Sequence, residues 1–171
     1  MKRIIYILVL FIFFGKAEIA SADSLVAESS AYLKSSTDNR EDYRELRLKL
    51  YLQKMNSPLS DYSNFFIKEA DENNLDWRLV PAITGVESTF ARNIPKNSYN
   101  AYGWANGNYK FISWEYSIDI VSNTLRSNYI NKGALSIKQI ARIYAPPSTT
   151  WANNVKFFIN KIDPLPLEYS L

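Results

Sequence analysis

The sequence predicts a mainly helical α+β domain: a bundle of helices with one small β-hairpin lobe flanking a cleft. Three observations predict it. Apolar residues return at helical spacing in successive runs between residues 42 and 162. One stretch, 91–112, loses that period and fills instead with Asn, Gly and aromatic residues. Within it Asn106-Gly107 is a strong signal for a two-residue hairpin loop.

The chain opens Met1-Lys2-Arg3 and runs apolar from Ile4 to Phe14 before Gly15 and Lys16. Ala20-Ser21-Ala22 has the small-residue spacing that a signal peptidase reads, so residues 1–22 are expected to be a secretory signal peptide. The rival reading is an uncleaved membrane anchor, although the apolar run falls short of the ~18 residues a spanning helix needs. Export would place the mature chain, from near Asp23, in the periplasm, at the cell wall or outside the cell. Residues 23–40 read as a flexible lead-in, 41–165 as the folded domain and 166–171 as a tail. Roughly 150 residues outside the leader can bury a core without disulfide staples, and a monomer is expected.

From Asp42 to Lys54, Tyr43, Leu46 and Leu50 recur at helical spacing and predict the buried stripe of a first helix. Ser57-Pro58 reads as an N-cap with Pro at the first helical position. Leu59, Tyr62, Phe66 and Ala70 then predict a second helix over 58–73, broken by Asn73-Asn74. Asp76 caps a third, whose stripe is Leu79, Val80, Ile83 and Val86, with Pro81 in its early turns and its end near 88–90.

In the stretch 91–112, a loop at Asn106-Gly107 would pair Trp104 with Tyr109 and Tyr102 with Phe111 on one face of a hairpin. Ser113 caps a helix carrying Trp114, Ile118, Val121, Leu125 and Tyr129, closed by Gly133. Ser136 and Gln139 form a capping box for a short helix through Tyr144, ended by Pro146-Pro147. Thr149 or Thr150 caps the last helix, with Trp151, Val155, Phe158 and Ile162 inward and Pro164 as its stop.

Composition narrows the chemistry. The chain has no His and no Cys, which excludes the usual triads, thiolate nucleophiles and most zinc sites. No metal or cofactor is expected. The net charge is +3, but Lys2, Arg3 and Lys16 against Glu18 put +2 of it in the leader. The remaining +1 and the lack of a basic patch give no support to nucleic-acid binding. Aromatic residues reach 15%, much of it Tyr and Trp, which join an apolar face to a polar tip.

Glu87 is the residue to which this points. Val80, Ile83 and Glu87 share one helix face, so the carboxyl lies at the core edge near a helix C-terminus. Burial and the negative end of the helix dipole both disfavour its anion. A carboxyl kept protonated near neutral pH is what glycoside cleavage needs to protonate the departing oxygen.

Four motifs occur in order: Gly85-Val86-Glu87-Ser88; Ser98-Tyr99-Asn100-Ala101-Tyr102-Gly103-Trp104; Phe111-Ile112-Ser113-Trp114-Glu115; and the run from Tyr144-Ala145-Pro146-Pro147 through Trp151-Ala152-Asn153-Asn154-Val155. Together they resemble the lysozyme-like superfamily, in particular the endo-β-N-acetylglucosaminidase domains of bacterial cell-wall hydrolases. The Glu-Ser pair is similar to that of soluble lytic transglycosylases. The resemblance spans about residues 58–162. It implies a peptidoglycan glycan strand as substrate, Glu87 as catalytic acid, Ser88 steadying it, and Tyr144 as a cleft tyrosine positioning sugar or water. In lysozyme an apolar pocket keeps a glutamate protonated by the same burial effect, and the mechanism expected of Glu87 is borrowed from that enzyme.

Ser98 and Asn100 are candidates to bind N-acetyl groups or Glu87, or else to hold the turn. Tyr102, Trp104 and Trp151 either stack on pyranose faces or fill the core. Trp114 and Phe111 read as core. Residues 91–114 hold no Asp or Glu, and the next acid, Glu115, is explained by its place in the first turn of a helix. A lone acid fits hydrolysis assisted by the sugar's N-acetyl group, and equally an internal attack leaving an anhydro sugar. A wall-binding module without turnover is the reading from another functional class.

Overall fold

The computed structural model describes residues 42–163. The leader, the lead-in, the stop at Pro164 and the tail lie outside the described residues. The described part is mainly helical, as the apolar periods predict, and no helix in it is long and apolar enough to cross a membrane.

Helix α1 spans Tyr43–Lys54, and its N-cap Asp42 accepts from the Arg44 N–H at 2.9 Å. The face it buries corrects the sequence reading. Leu48 and Leu52 are fully buried, whereas Tyr43, Leu46 and Leu50 face solvent. Leucine stands at 46, 48, 50 and 52, so local spacing offers two apolar faces. Packing selects the one that meets the following segment, with Tyr51 edge-on to Phe90 at 5.5 Å.

Ser57 accepts from the Leu59 N–H at 3.1 Å and donates to the Phe90 carbonyl at 2.8 Å. The expected second helix divides into a 3₁₀ turn, Pro58–Tyr62, and helix α2, Ser63–Glu72. Leu59, Phe66 and Ala70 are buried as their spacing predicts.

Helix α3, Leu79–Ser88, is the central element, buried continuously from Leu79 to Gly85. Pro81 is its third residue, where a missing N–H costs nothing because the first turn has no carbonyl to receive it. Gly85 is required by close packing: a Cβ there would lie 2.6 Å from the Phe90 ring and 3.0 Å from Phe158. Helix α4, Trp114–Thr124, is capped by Ser113. It passes through one π turn, Leu125–Tyr129, and a 3₁₀ turn, Ile130–Lys132, to Gly133 at φ 96°.

Ser136 opens α5, Ile137–Tyr144, by accepting from the Gln139 N–H at 3.3 Å and donating to Gln139 Oε1 at 2.9 Å. Helix α6, Trp151–Ile162, lies against α3. Its first N–H is met by Ser148 Oγ at 3.1 Å, so the side-chain cap is Ser148 and not Thr149 or Thr150.

The hairpin is the second correction: among the described residues there is no strand. Ala105 and Asn106 take left-handed dihedrals, φ/ψ 50/43° and 53/39°, close to a type I′ turn but one residue earlier than Asn106-Gly107. The expected ring pairs do meet, Trp104 with Tyr109 at 5.9 Å and Tyr102 with Phe111 at 6.1 Å. Of the backbone pairing expected between Trp104 and Tyr109 only one bond forms, from the Tyr109 N–H to the Trp104 carbonyl at 3.3 Å, and Asn100 takes the other two groups. Its Nδ2 donates to the carbonyls of Trp104 and Tyr109 at 2.9 and 3.0 Å, and its Oδ1 accepts from the Trp104 N–H at 3.1 Å. One side chain occupies backbone groups that a ladder would have joined.

Candidate active site

Glu87 sits in the last turn of α3, just before a sharp reversal of the chain. Thr89, Phe90 and Ala91 are all left-handed, with φ between 53° and 63°. Side chains with a Cβ take that conformation only when their surroundings impose it. Here Ser88 does much of the imposing. It is buried, its hydroxyl accepts from the Ala91 N–H at 2.9 Å, and it donates toward the carbonyls of Ala101 at 2.9 Å and Thr84 at 3.0 Å. Ser88 therefore pins the loop at Ala101 to the end of α3, and its hydroxyl makes its hydrogen bonds to backbone groups and none to the Glu87 carboxyl.

The Glu87 carboxyl is half-buried. Its Oε1 accepts from Trp151 Nε1 at 2.7 Å. Its Oε2 lies against Gly103, where a Cβ would stand only 2.8 Å away. Among the described residues no lysine or arginine forms an ion pair with it. Burial pushes its pKa up from the ordinary value, and the Trp151 hydrogen bond pulls part of the way back. The result is a carboxyl that holds its proton at higher pH than a solvated glutamate.

Next to it opens a depression of about 440 Å³ lined by Gly103, Trp104, Ala105, Asn106, Tyr109, Tyr129, Tyr144 and the edge of Tyr102. Glu87 is not one of its lining residues; the carboxyl borders it behind Gly103. Tyr144 connects the two. Its ring stacks on Trp151 at 5.0 Å and 28°, and its hydroxyl donates to the Tyr102 carbonyl at 2.6 Å. Burial, and then the nearby Glu87 charge, raise the pKa of that hydroxyl well above the usual tyrosine range, so it remains a donor.

The structure redistributes the other expected roles. Ser98 and Asn100 are buried behind the wall of the depression. Ser98 Oγ accepts from the Asn100 N–H at 3.2 Å, and Asn100 spends its amide on the loop, so both hold the turn and neither presents a group to a ligand. Tyr102 is fully buried with its ring against Phe111, and Trp151 is 3% exposed. Neither offers a face for a sugar to stack on. Trp104 is half-buried and lines the depression, which keeps it as a stacking surface.

Gly103, Tyr109 and Tyr129 line the depression although the sequence reading names none of them as a site residue. For Gly103 a signal is present, a lone glycine between two aromatic residues, and its φ of 71° explains why only glycine suits it. Glu115 lies elsewhere, in a groove with Phe65, Lys68, Glu69, Glu72 and Asp119 between α2 and α4.

Chemically, then, a shielded carboxyl with a raised pKa borders a depression whose lining is neutral, largely aromatic and edged with amide and hydroxyl groups. Matched against models of known protein families, the chain fits none, and a search among curated proteins returns no match.

Proposed function

We propose that this chain is an exported glycosidase of endo-β-N-acetylglucosaminidase type that cuts β-1,4 bonds of the peptidoglycan strand, with Glu87 as general acid. One observation carries the reading. The Glu87 carboxyl is shielded, free of a cationic partner among the described residues, and placed beside an aromatic, uncharged depression. The motif resemblance to lysozyme-like enzymes supports the same assignment.

In the reaction, Glu87 gives its proton to the bridging oxygen as the C1–O bond breaks. The depression lining holds no Asp or Glu to act as nucleophile, so the carbonyl oxygen of the sugar's own N-acetyl group closes on C1. The Glu87 carboxylate, now a base, takes a proton from water as that water bonds to C1 and displaces the acetamido oxygen, whose carbonyl re-forms. This restores the acid and completes hydrolysis.

The absence of a lining carboxylate favours a second outcome with the same machinery. If Glu87 takes its proton from a hydroxyl of the same sugar, that oxygen closes an anhydro ring and the enzyme is a lytic transglycosylase. Product mass separates the two, because hydrolysis adds a water and ring closure does not. Mass spectrometry of fragments released from purified sacculi reads this directly. Wild-type protein should clear the sacculi and Glu87→Gln should not. Clearing by both would remove Glu87 from the chemistry, and clearing by neither would leave a wall-binding module.

A further inference from the structure

We infer that Trp151 is a positioning residue that decides which oxygen of Glu87 carries the proton, placing it on the oxygen beside Gly103. This rests on the reading of Glu87 as the acid, and it adds a directional element that the resemblance does not supply.

An indole N–H donates one hydrogen bond and accepts none. The Glu87 oxygen 2.7 Å from Trp151 Nε1 must therefore act as an acceptor in either protonation state. In a protonated carboxyl the carbonyl oxygen is the stronger acceptor, so the indole favours the form with the hydrogen on the other oxygen. That oxygen faces Gly103, which lines the depression, whereas Trp151 is 3% exposed and belongs to the core. One oxygen is thus turned inward as a permanent acceptor, and the other lies against Gly103, on the side of the depression.

Gly103 completes the device. A Cβ on residue 103 would come within 2.8 Å of the wall-side oxygen and occupy the space the proton needs. Tyr144 fixes the indole in turn, stacking on it at 5.0 Å while its hydroxyl is tied to Tyr102. The titratable group facing the carboxyl is the Tyr144 hydroxyl from α5, raised by burial and then by the Glu87 charge. From α6 comes only Trp151, and no charged group contributes to the Glu87 shift among the described residues.

The same bond lets the group change role within one turnover. A hydrogen bond to a carboxylate is stronger than one to a neutral carboxyl. The indole therefore holds more tightly once the proton has left, and it keeps the base in the orientation it had as an acid.

The experiment follows the indole and needs no turnover. Protein labelled with ¹⁵N at tryptophan has four indole resonances, one per Trp, and Trp151→Phe assigns the relevant one. In wild-type protein the Trp151 resonance should move with pH along the Glu87 titration. In Glu87→Gln, whose carboxamide also presents an acceptor oxygen to the indole, it should stand still. Trp151→Phe should raise the alkaline limit of the pH–kcat profile by about one pH unit, the size of a lost charge-assisted hydrogen bond, with little change in KM. A wild-type indole resonance that ignores pH, or a Trp151→Phe profile that falls evenly at all pH, would overturn the assignment. If Glu87→Gln still clears sacculi while the wild-type resonance titrates, the hydrogen bond stands and the enzymatic reading alone fails.

Discussion

The Tyr144 hydroxyl donates to the main-chain carbonyl of Tyr102 at 2.6 Å, joining the end of α5 to the residue that precedes Gly103. The loop that forms one wall of the depression is thus fastened from below by Ser88 and from the side by Tyr144. Removing the second fastening should loosen the wall without touching Glu87. Tyr144→Phe keeps the ring that stacks on Trp151 and deletes the one donor. It is expected to lower stability by about 1 kcal/mol and to reduce turnover through a less ordered wall. Urea denaturation and sacculus turnover on the same preparation check both. A variant as stable as wild type but inactive would instead place that hydroxyl on the substrate.

Gly103→Ala tests the wall itself. Alanine at φ 71° costs about 1 kcal/mol of backbone strain, an amount the domain should survive. Its methyl would have to displace the Glu87 oxygen that lies 2.8 Å away. A displacement of about 1 Å at a reacting group lowers rates on the order of 100-fold. The expected outcome is a folded protein, by circular dichroism and thermal melting, whose turnover falls by roughly that factor.

How much of this is legible in the sequence depends on the distance over which each signal acts. Helix starts at Asp42, Ser57-Pro58, Ser113 and Ser136 are legible because a cap is settled within three residues. The inward face of α1 is not, since leucines at 46, 48, 50 and 52 give local spacing two answers and only packing chooses between them. The hairpin fails for a related reason. Turn chemistry around Asn106 is legible to within one residue, yet nothing local shows that Asn100 takes over the ladder's backbone groups.

At the site, Glu87 is legible from its position at the end of a buried stripe. Its partner is not. Trp151 lies 64 residues further on and meets Glu87 only because α6 packs along α3. Ser98 and Asn100 look like ligand donors in the sequence because side-chain amides and hydroxyls serve ligands and loops alike. Burial, which assigns them to the loop, is a property of the assembled fold.

Asn100 gives the sharpest test of how the wall is built. It is 2% exposed, and its amide reaches two carbonyls and one N–H at 3.1 Å or less. Asn100→Ala would free the Tyr109 carbonyl and the Trp104 N–H, while the Trp104 carbonyl keeps the Tyr109 N–H. Buried groups stripped of partners cost about 1–3 kcal/mol each, offset where water enters. A net loss of about 2–4 kcal/mol is expected, read as a lower urea midpoint at unchanged m-value. Catalysis should fail with it, because Trp104, Tyr109 and Gly103 all hang on the same turn. A loss below about 0.5 kcal/mol would mean that the turn holds itself and that Asn100 is free for another task.

The cost of the proposed acid should itself be measurable as stability. Burial raises the folded-state pKa of Glu87 above its ordinary value of 4.5. The folded protein therefore binds this proton more tightly than the unfolded chain does. The stabilisation is fully present below pH 4.5 and is lost as the pH rises through the folded-state pKa. Glutamine at the same place keeps the shape and the acceptor for Trp151 but never ionises. Glu87→Gln should match wild type in Tm below pH 4.5 and exceed it at pH 8. Partial exposure screens the buried anion and keeps the gap to a few degrees. A gap of the opposite sign at pH 8 would mean that the native state favours the carboxylate, and a glutamate so disposed would give its proton up before any glycosidic oxygen could use it.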